Sequence, residues 1–252
     1  MRNGTPQIES LRRTLAMLEA IIADGGHSNV SVIARSIGMP VATAHRQVAT
    51  LVAEDYLRAG AGGSHVAGPR LVGLLHLLDE KQVIANVAAP VLHKIAGEVG
   101  SVVQLGTLEN DMVTYRIKTG RGAKALFTKV DMQLEAYCSG IGKVLLAHLP
   151  SEQRRSYLEG GPFVALTGRT ITDPLLLADE LERVRSQGYA LDEGEIVEGL
   201  SCIAVPIRKS DGSVPAAISI TQAANATRRK GTDELLPVLN RAASEIQGGA
   251  FG

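Results

Sequence analysis

The sequence contains no apolar run approaching the roughly 20 residues that crossing a bilayer requires, and its start, MRNGTPQIES, lacks the apolar core of a secretory signal. A membrane partner is excluded on this reading, and a cytoplasmic chain is expected. Cysteine is scarce as well. Cys138 and Cys202 are the only two, which excludes a disulfide-stapled exported domain and makes reduced thiols the expectation. No Cys/His pair has zinc-ligand spacing, so neither a metal nor a cofactor is expected. Net charge is absent too, since 26 Lys and Arg balance 26 Asp and Glu, and a protein that coats nucleic acid through bulk charge is excluded. Internal repeats and low-complexity tracts are also missing.

What is present divides unevenly. The 252 residues are 45% apolar and 21% charged, enough for one large or two modest domains with ordinary cores. Residues 1–75 carry seven Arg (2, 12, 13, 35, 46, 58 and 70) against five acids (Glu9, Glu19, Asp24, Glu54 and Asp55), and no Lys precedes Lys81. Arg suits bidentate contacts to phosphate or guanine, although a simple preference for Arg over Lys explains the bias equally well.

Leu11, Leu15, Leu18 and Ile22 recur at helical spacing after Ser10, a candidate cap, and predict a first amphipathic helix over 10–23. SVIARSIG reads as a short helix capped by Ser31 and ended at Gly38. In MPVATAHRQVATL (39–51), Val41, Ala44, Val48 and Leu51 form one apolar stripe, which predicts a third helix over about 41–54. Its free face is rich in hydrogen-bonding groups. A strand at 55–58, a glycine-rich stretch at 60–64 too costly in backbone entropy for regular structure, and a return strand from Val66 complete a helix-turn-helix with a wing. Residues 70–83 read as a linker helix whose Leu71, Leu74, Leu75 and Leu78 are expected to pack against a partner subunit. Pro90 is expected to kink or divide the helical stretch after Pro69, with 84–98 opening a second domain.

From residue 101 strands and helices mix. SVVQLGTLEN and MVTYRIKTG read as a hairpin turned at Asn110-Asp111, and ALFTKV as a third strand. Helices are predicted over 140–148, 151–158, from Asp173 to Gly188, and 232–246. CIAVPIRK and VPAAISIT read as a hairpin around Ser210-Asp211-Gly212. An α+β fold on an antiparallel sheet flanked by helices is the consequence.

Several chemistries compete for these residues. The major groove admits one helix, so Ala42, Thr43, His45, Arg46, Gln47 and Thr50, with His65 on the wing, are candidate DNA contacts. The alternative is a small helical subdomain whose polar face is merely solvated. No catalytic residue is expected, because a lone thiol is more often a small core hydrophobe than a nucleophile and His148 is the sole base candidate in the second half. SGIGK (139–143) lacks phosphate-loop spacing, yet its two glycines before a helix could hold a small anion at the N-terminus. The acidic run Asp192, Glu193, Glu195 and Glu198 reads as a solvated loop, or as one end of a pocket because it leads into an apolar strand.

SLRRTLAMLEAI, MPVATAHRQVATLVAEDYL and AGPRLVGL, together with GYALDEGEIVEGLSCIA, resemble the IclR family of transcriptional regulators over about residues 10–245. The resemblance implies a winged helix-turn-helix (1–69), a linker helix (70–83) and a GAF-like effector-binding and oligomerisation domain (84–252). It also implies double-stranded operator DNA, a small organic acid effector and a homodimer or dimer of dimers as partners. Effector contacts carry over to Gly140, Ile141, Asp192, Cys202, Ser219 and Thr221, with Ala123 and Leu126 as apolar walls. Ala42 stands where the family often has Ser, which removes one DNA contact. Arg208 and Lys209 also depart from the family pattern and would favour a more anionic effector if they faced the pocket. The competing reading is a small-molecule sensor or enzyme that uses its N-terminal domain only for oligomerisation.

Overall fold

The computed structural model describes residues 7–223 and 230–252. The chain divides into two compact units, Met1–Asp79 and Glu80–Gly252, each with its own core.

In the first unit, α1 (Glu9–Asp24), α2 (Val30–Ser36) and α3 (Val41–Ala53) precede a hairpin of β1 (Leu57–Ala59) and β2 (His65–Ala67) and a last helix, α4 (Pro69–Leu77). The expected stripe of α3 is in place, with Ala44, Val48 and Leu51 buried against Ile33 and Leu57. That of α1 is not. Met17, Leu18 and Ile21 face the core, whereas Leu11, Leu15 and Ile22 are exposed. The sequence offers two apolar stripes about one residue apart, and the helix buries the one that carries the flexible gap-filling Met17. The caps differ too. Helix α1 begins after Ile8 with no side-chain cap, and Asn29, not Ser31, caps α2 by accepting from the Val32 N–H. The glycine-rich wing stretch holds one 3-10 turn at Ala61–Gly63, steadied by the Ser64 hydroxyl donating to the Ala61 carbonyl.

Helix α4 ends at Leu77, where Leu78 turns extended (φ −90°, ψ 122°). Helix α5 (Glu80–Val99) then runs uninterrupted through Pro90, so the break expected at Pro90 occurs at Leu78-Asp79 instead. Ile84, Ala88, Leu92 and Ile95, on both sides of the proline, pack into one core. Packing of that face outweighs the local cost of the ring.

The second unit is built on an antiparallel sheet, ordered β5-β4-β3-β8-β7-β6. Its strands are β3 (Val102–Glu109), β4 (Met112–Thr119), β5 (Gln133–Glu135), β6 (Ala190–Asp192), β7 (Leu200–Ile207) and β8 (Ala216–Ala223). The first hairpin turns at Asn110 (φ 50°) and Asp111 (φ 65°), the left-handed pair that suits strand twist. ALFTKV is not a strand; the edge is taken by β5, and the expected solvated loop begins as β6. Helix α5 and the last helix, α9 (Thr232–Phe251), cover one sheet face. Helices α6 (Gly140–Ala147) and α8 (Pro174–Gln187) cover the other, with α7 (Ser151–Glu159) outside them. Asp173 caps α8 by accepting from the Leu175 N–H, and Gly188 ends it at φ 82°.

Candidate functional site

Two surfaces were expected to carry chemistry, one on each unit. On α3, Ala42, His45, Arg46 and Thr50 are exposed, and Thr43 is half-buried. Gln47 departs from the expectation. Its side-chain amide donates to the Ser10 carbonyl of α1 at 3.4 Å, and the other end of the amide is buried, so this residue ties α3 to α1 rather than lying free. His45 Nε2 lies 3.3 Å from the Ser31 hydroxyl, and the Thr50 hydroxyl donates to the Arg46 carbonyl. His65 opens β2, half-buried. Arg46 therefore offers the free guanidinium of this face.

In the second unit, strand register sets a polar cluster on the sheet face under α6. Cys202 pairs with Thr221, Ala204 with Ser219, Gln104 with Ser219 and Asp192 with Cys202, and directly paired residues share a face. The start of α6 lies over this cluster. A Cβ at Gly140 would stand 3.4 Å from that of Ala204, and one at Gly142 would stand 2.1 Å from the Ala136 carbonyl. Only glycine permits that second approach. Ser139 caps α6 by accepting from the Gly142 N–H at 3.0 Å, which leaves the N–H groups of Gly140 and Ile141 without a partner among the described residues.

These groups enclose a cavity that Tyr115, Leu126, Phe127, Ile196 and Leu200 complete. Of the residues expected to hold an effector, Leu126, Gly140, Ile141, Asp192, Cys202, Ser219 and Thr221 line it. Ala123 does not; it sits in the turn after Gly120, to whose carbonyl its own N–H donates. The space is about 20 Å³, room for little more than a water. A second cavity of about 550 Å³ adjoins it, sharing Leu126, Leu200 and Thr221. A chain of hydrogen bonds crosses the floor. The Gln104 amide donates to Thr128 at 2.9 Å, Thr221 donates to Gln104 at 3.2 Å, and the Cys202 thiol lies 3.2 Å from the Thr221 hydroxyl.

No cation lines the inner cavity, yet one lies buried beside it. Lys143 on α6 donates to Glu180 at 3.1 Å and to Glu195 at 2.5 Å. Half of the acidic run is thus interior: Asp192 and Glu195 are buried while Glu193 and Glu198 are exposed. Asp192 accepts from the N–H groups of Gly194 and Glu195, and burial raises its pKa against those bonds. Arg208 and Lys209 line neither cavity. The Arg208 guanidinium meets His148 Nε2 at 2.8 Å, and Lys209 pairs with Glu80.

Activated nucleophiles are not found in this set. Burial pushes the thiols of both Cys138 and Cys202 up to about 12, opposite to the shift a reactive thiolate needs. His148 is held at both ring nitrogens, by Val144 and Arg208, and burial lowers its pKa. Sequence reading missed Gln104 and Tyr115, whose signal is strand register and not a local motif, and Thr128, which lies between strands and is joined to Gln104 only by the packed fold. It also missed Lys143 as the centre of a buried ion triad.

A winged helix-turn-helix followed by an α+β domain defines a class of bacterial transcriptional regulators. A family model described as the IclR helix-turn-helix domain matches residues 10–60, and one described as the bacterial transcriptional regulator IclR C-terminal matches residues 76–248. The chain belongs to the IclR family, and it is a transcriptional regulator with a DNA-binding helix-turn-helix domain. The Pca regulon regulatory protein of Pseudomonas putida is 29% identical over 99% of this chain and 87% of its own. The crystal structure of the Agobacterium tumefaciens repressor BlcR superposes with a TM-score of 0.71 at 25% identity over 96% of both chains. An IclR homolog from Microbacterium hydrocarbonoxydans, complexed with 4-hydroxybenzoate, matches with a TM-score of 0.62 at 30% identity over 96% of this chain and 99% of that one. Among the described residues no helix is long and apolar enough to cross a membrane.

Proposed function

We propose that this protein binds a specific operator through α3 and the wing, and that a small organic acid held in the cavity beneath α6 changes its affinity for that operator. In this reading residues 1–69 form the DNA-binding domain, 70–83 the linker and 84–252 the effector and oligomerisation domain of a homodimer. The observation that carries the reading is the convergence of unpaired N–H groups at the start of α6 with Ser219, Thr221 and Asp192 around one buried cavity. Backbone N–H groups at a helix N-terminus and hydroxyls suit a carboxylate without a buried cation. The related protein complexed with 4-hydroxybenzoate supports an acid as the ligand. Because the free space is small, Leu126 and its neighbours must shift as the ligand enters, so the bound and free forms differ in conformation.

The expected result of a gel shift with DNA from just upstream of the protein's own gene is a sequence-specific complex whose affinity changes when a small acid is added. Asp192→Ala should keep the complex and lose the response. Absence of any specific complex, with or without acids, would remove the DNA-binding reading, and a normal response in the variant would move the effector elsewhere.

A further inference from the structure

Tyr115 is buried, on the sheet face that lines the cavity, and its hydroxyl makes no hydrogen bond to any described residue. Its orientation comes from one irregularity in β4. Leu105 pairs with Ile117, but the next residue of β3, Gly106, pairs with Tyr115, so Arg116 is an extra residue in the ladder. A bulge of one residue exchanges the two faces of the strand beyond it. Without it Arg116 would lie opposite Gly106 and Tyr115 would face α5; with it Arg116 turns to Thr107 and Glu109, and the phenol turns to the cavity. Gly106 suits this arrangement, since a Cβ there would stand 2.9 Å from the Ile141 side chain. The phenol shares the cavity lining with Cys202 and Asp192.

The Tyr115 oxygen is not a fully buried, unpartnered atom of the kind found at Glu195; it opens onto the cavity, where a ligand can reach it. Elsewhere in the cavity the Ser139 and Thr128 hydroxyls each accept one bond, from Gly142 and Gln104, and Thr221 is tied to Gln104 and Cys202. The N–H groups of Gly140 and Ile141 and the hydroxyls of Ser219 and Tyr115 neither donate to nor accept from any described residue. An ionised carboxylate has about four acceptor sites.

We infer that Tyr115 is a ligand-binding residue, whose phenolic O–H donates to the carboxylate of the bound acid and completes the donor set of Gly140, Ile141 and Ser219. The inference rests on the cavity being the effector site. It also narrows the ligand class to small monocarboxylates: every donor is neutral, and the one charged group lining the space, Asp192, would repel a second anionic group.

Tyr115→Phe removes the hydroxyl and little else. In the ligand-free protein the variant should melt at the same temperature as the parent, because the hydroxyl bonds no described residue; a clear drop would show the hydroxyl bonded within the fold and overturn the inference. Calorimetric titration with butanoate and with 4-hydroxybenzoate should show binding weakened on the order of ten- to a hundredfold in the variant, as expected for a lost hydrogen bond to a charged group. The protein has no Trp and five Tyr, so butanoate, which does not absorb, should also red-shift the near-ultraviolet tyrosine band of the parent and not that of the variant. Equal affinities in parent and variant overturn the role of Tyr115 alone. Binding by neither acid, or binding indifferent to Ser219→Ala, overturns the reading of the cavity as the effector site.

Discussion

Glu195 has one carboxylate oxygen 2.5 Å from the Lys143 ammonium and the other buried without a partner. Its surroundings are mixed in charge: Lys143 from α6, Glu180 and Arg183 from α8, Asp192 from β6, and the thiol of Cys138. Burial raises its pKa to about 7, against the opposing pull of Lys143. The folded-state pKa therefore lies above the unfolded value of 4.5, and the native protein holds this proton more tightly than the unfolded chain. The contribution is complete below about pH 4.5 and is lost as pH rises towards 7, a change on the order of a few kcal/mol for a shift of this size. Melting temperature across that window should fall more steeply for the parent than for Glu195→Gln, whose neutral amide cannot titrate. Asp192, also raised, keeps part of the slope in the variant. Parallel melting curves would show that Glu195 is ionised throughout, with Lys143 as its full counter-charge. No local pattern announces this group. Glu195 reads as one of four acids in a loop, and its partner Lys143 stands 52 residues earlier, a separation that only the packed fold brings to contact distance.

At the scale of elements, legibility tracks the rules that act over a few residues. The stripe of α3, the Asp173 cap and Gly188 stop of α8, and the Asn110-Asp111 turn all depend on neighbours in sequence, and all stand as read. The Ser10 and Ser31 caps fail within a single turn, and the larger errors lie where distant packing decides. Pro90 is carried by a core assembled from both sides of it, and Leu11 and Leu15 lose to Met17 because the partner helices, not the period, choose between two stripes. The bulge at Arg116 leaves no compositional mark, so Tyr115 is invisible as a candidate. The DNA-facing set takes six residues from α3 and His65 from the wing, and the bond of Gln47 to the Ser10 carbonyl of α1 cannot be seen from within one helix. Arg46, exposed and with no side-chain bond to a described residue, is the test of that face. Arg46→Ala should leave the melting temperature unchanged while weakening operator binding. A phosphate contact would lower the slope of log affinity against log salt by about 1, whereas a base contact would cost about 1–3 kcal/mol and relax one position of the operator. Unaltered affinity at every salt concentration would place the recognition surface elsewhere.

For the whole molecule, an effector that alters operator affinity requires operator DNA to alter effector affinity by the same factor, because both arms close one thermodynamic cycle. A coupling of about 1–3 kcal/mol corresponds to roughly 5–150-fold. Leu75 and Leu78 on either side of the end of α4 are exposed in the single chain, which suits burial between two copies. A regulator of the proposed kind needs that pairing to hold two recognition helices at the spacing of two half-sites. Measuring acid affinity with and without saturating operator, and operator affinity with and without saturating acid, should give equal factors for the parent. Leu75→Glu combined with Leu78→Glu should shift sedimentation towards the monomer, weaken operator binding, and leave acid affinity in the absence of DNA unchanged, since the cavity is lined wholly by residues 104–221. Equal acid affinities with and without operator would show that the cavity and the DNA-binding unit are thermodynamically independent, and would remove the acid as a regulator while leaving it as a ligand.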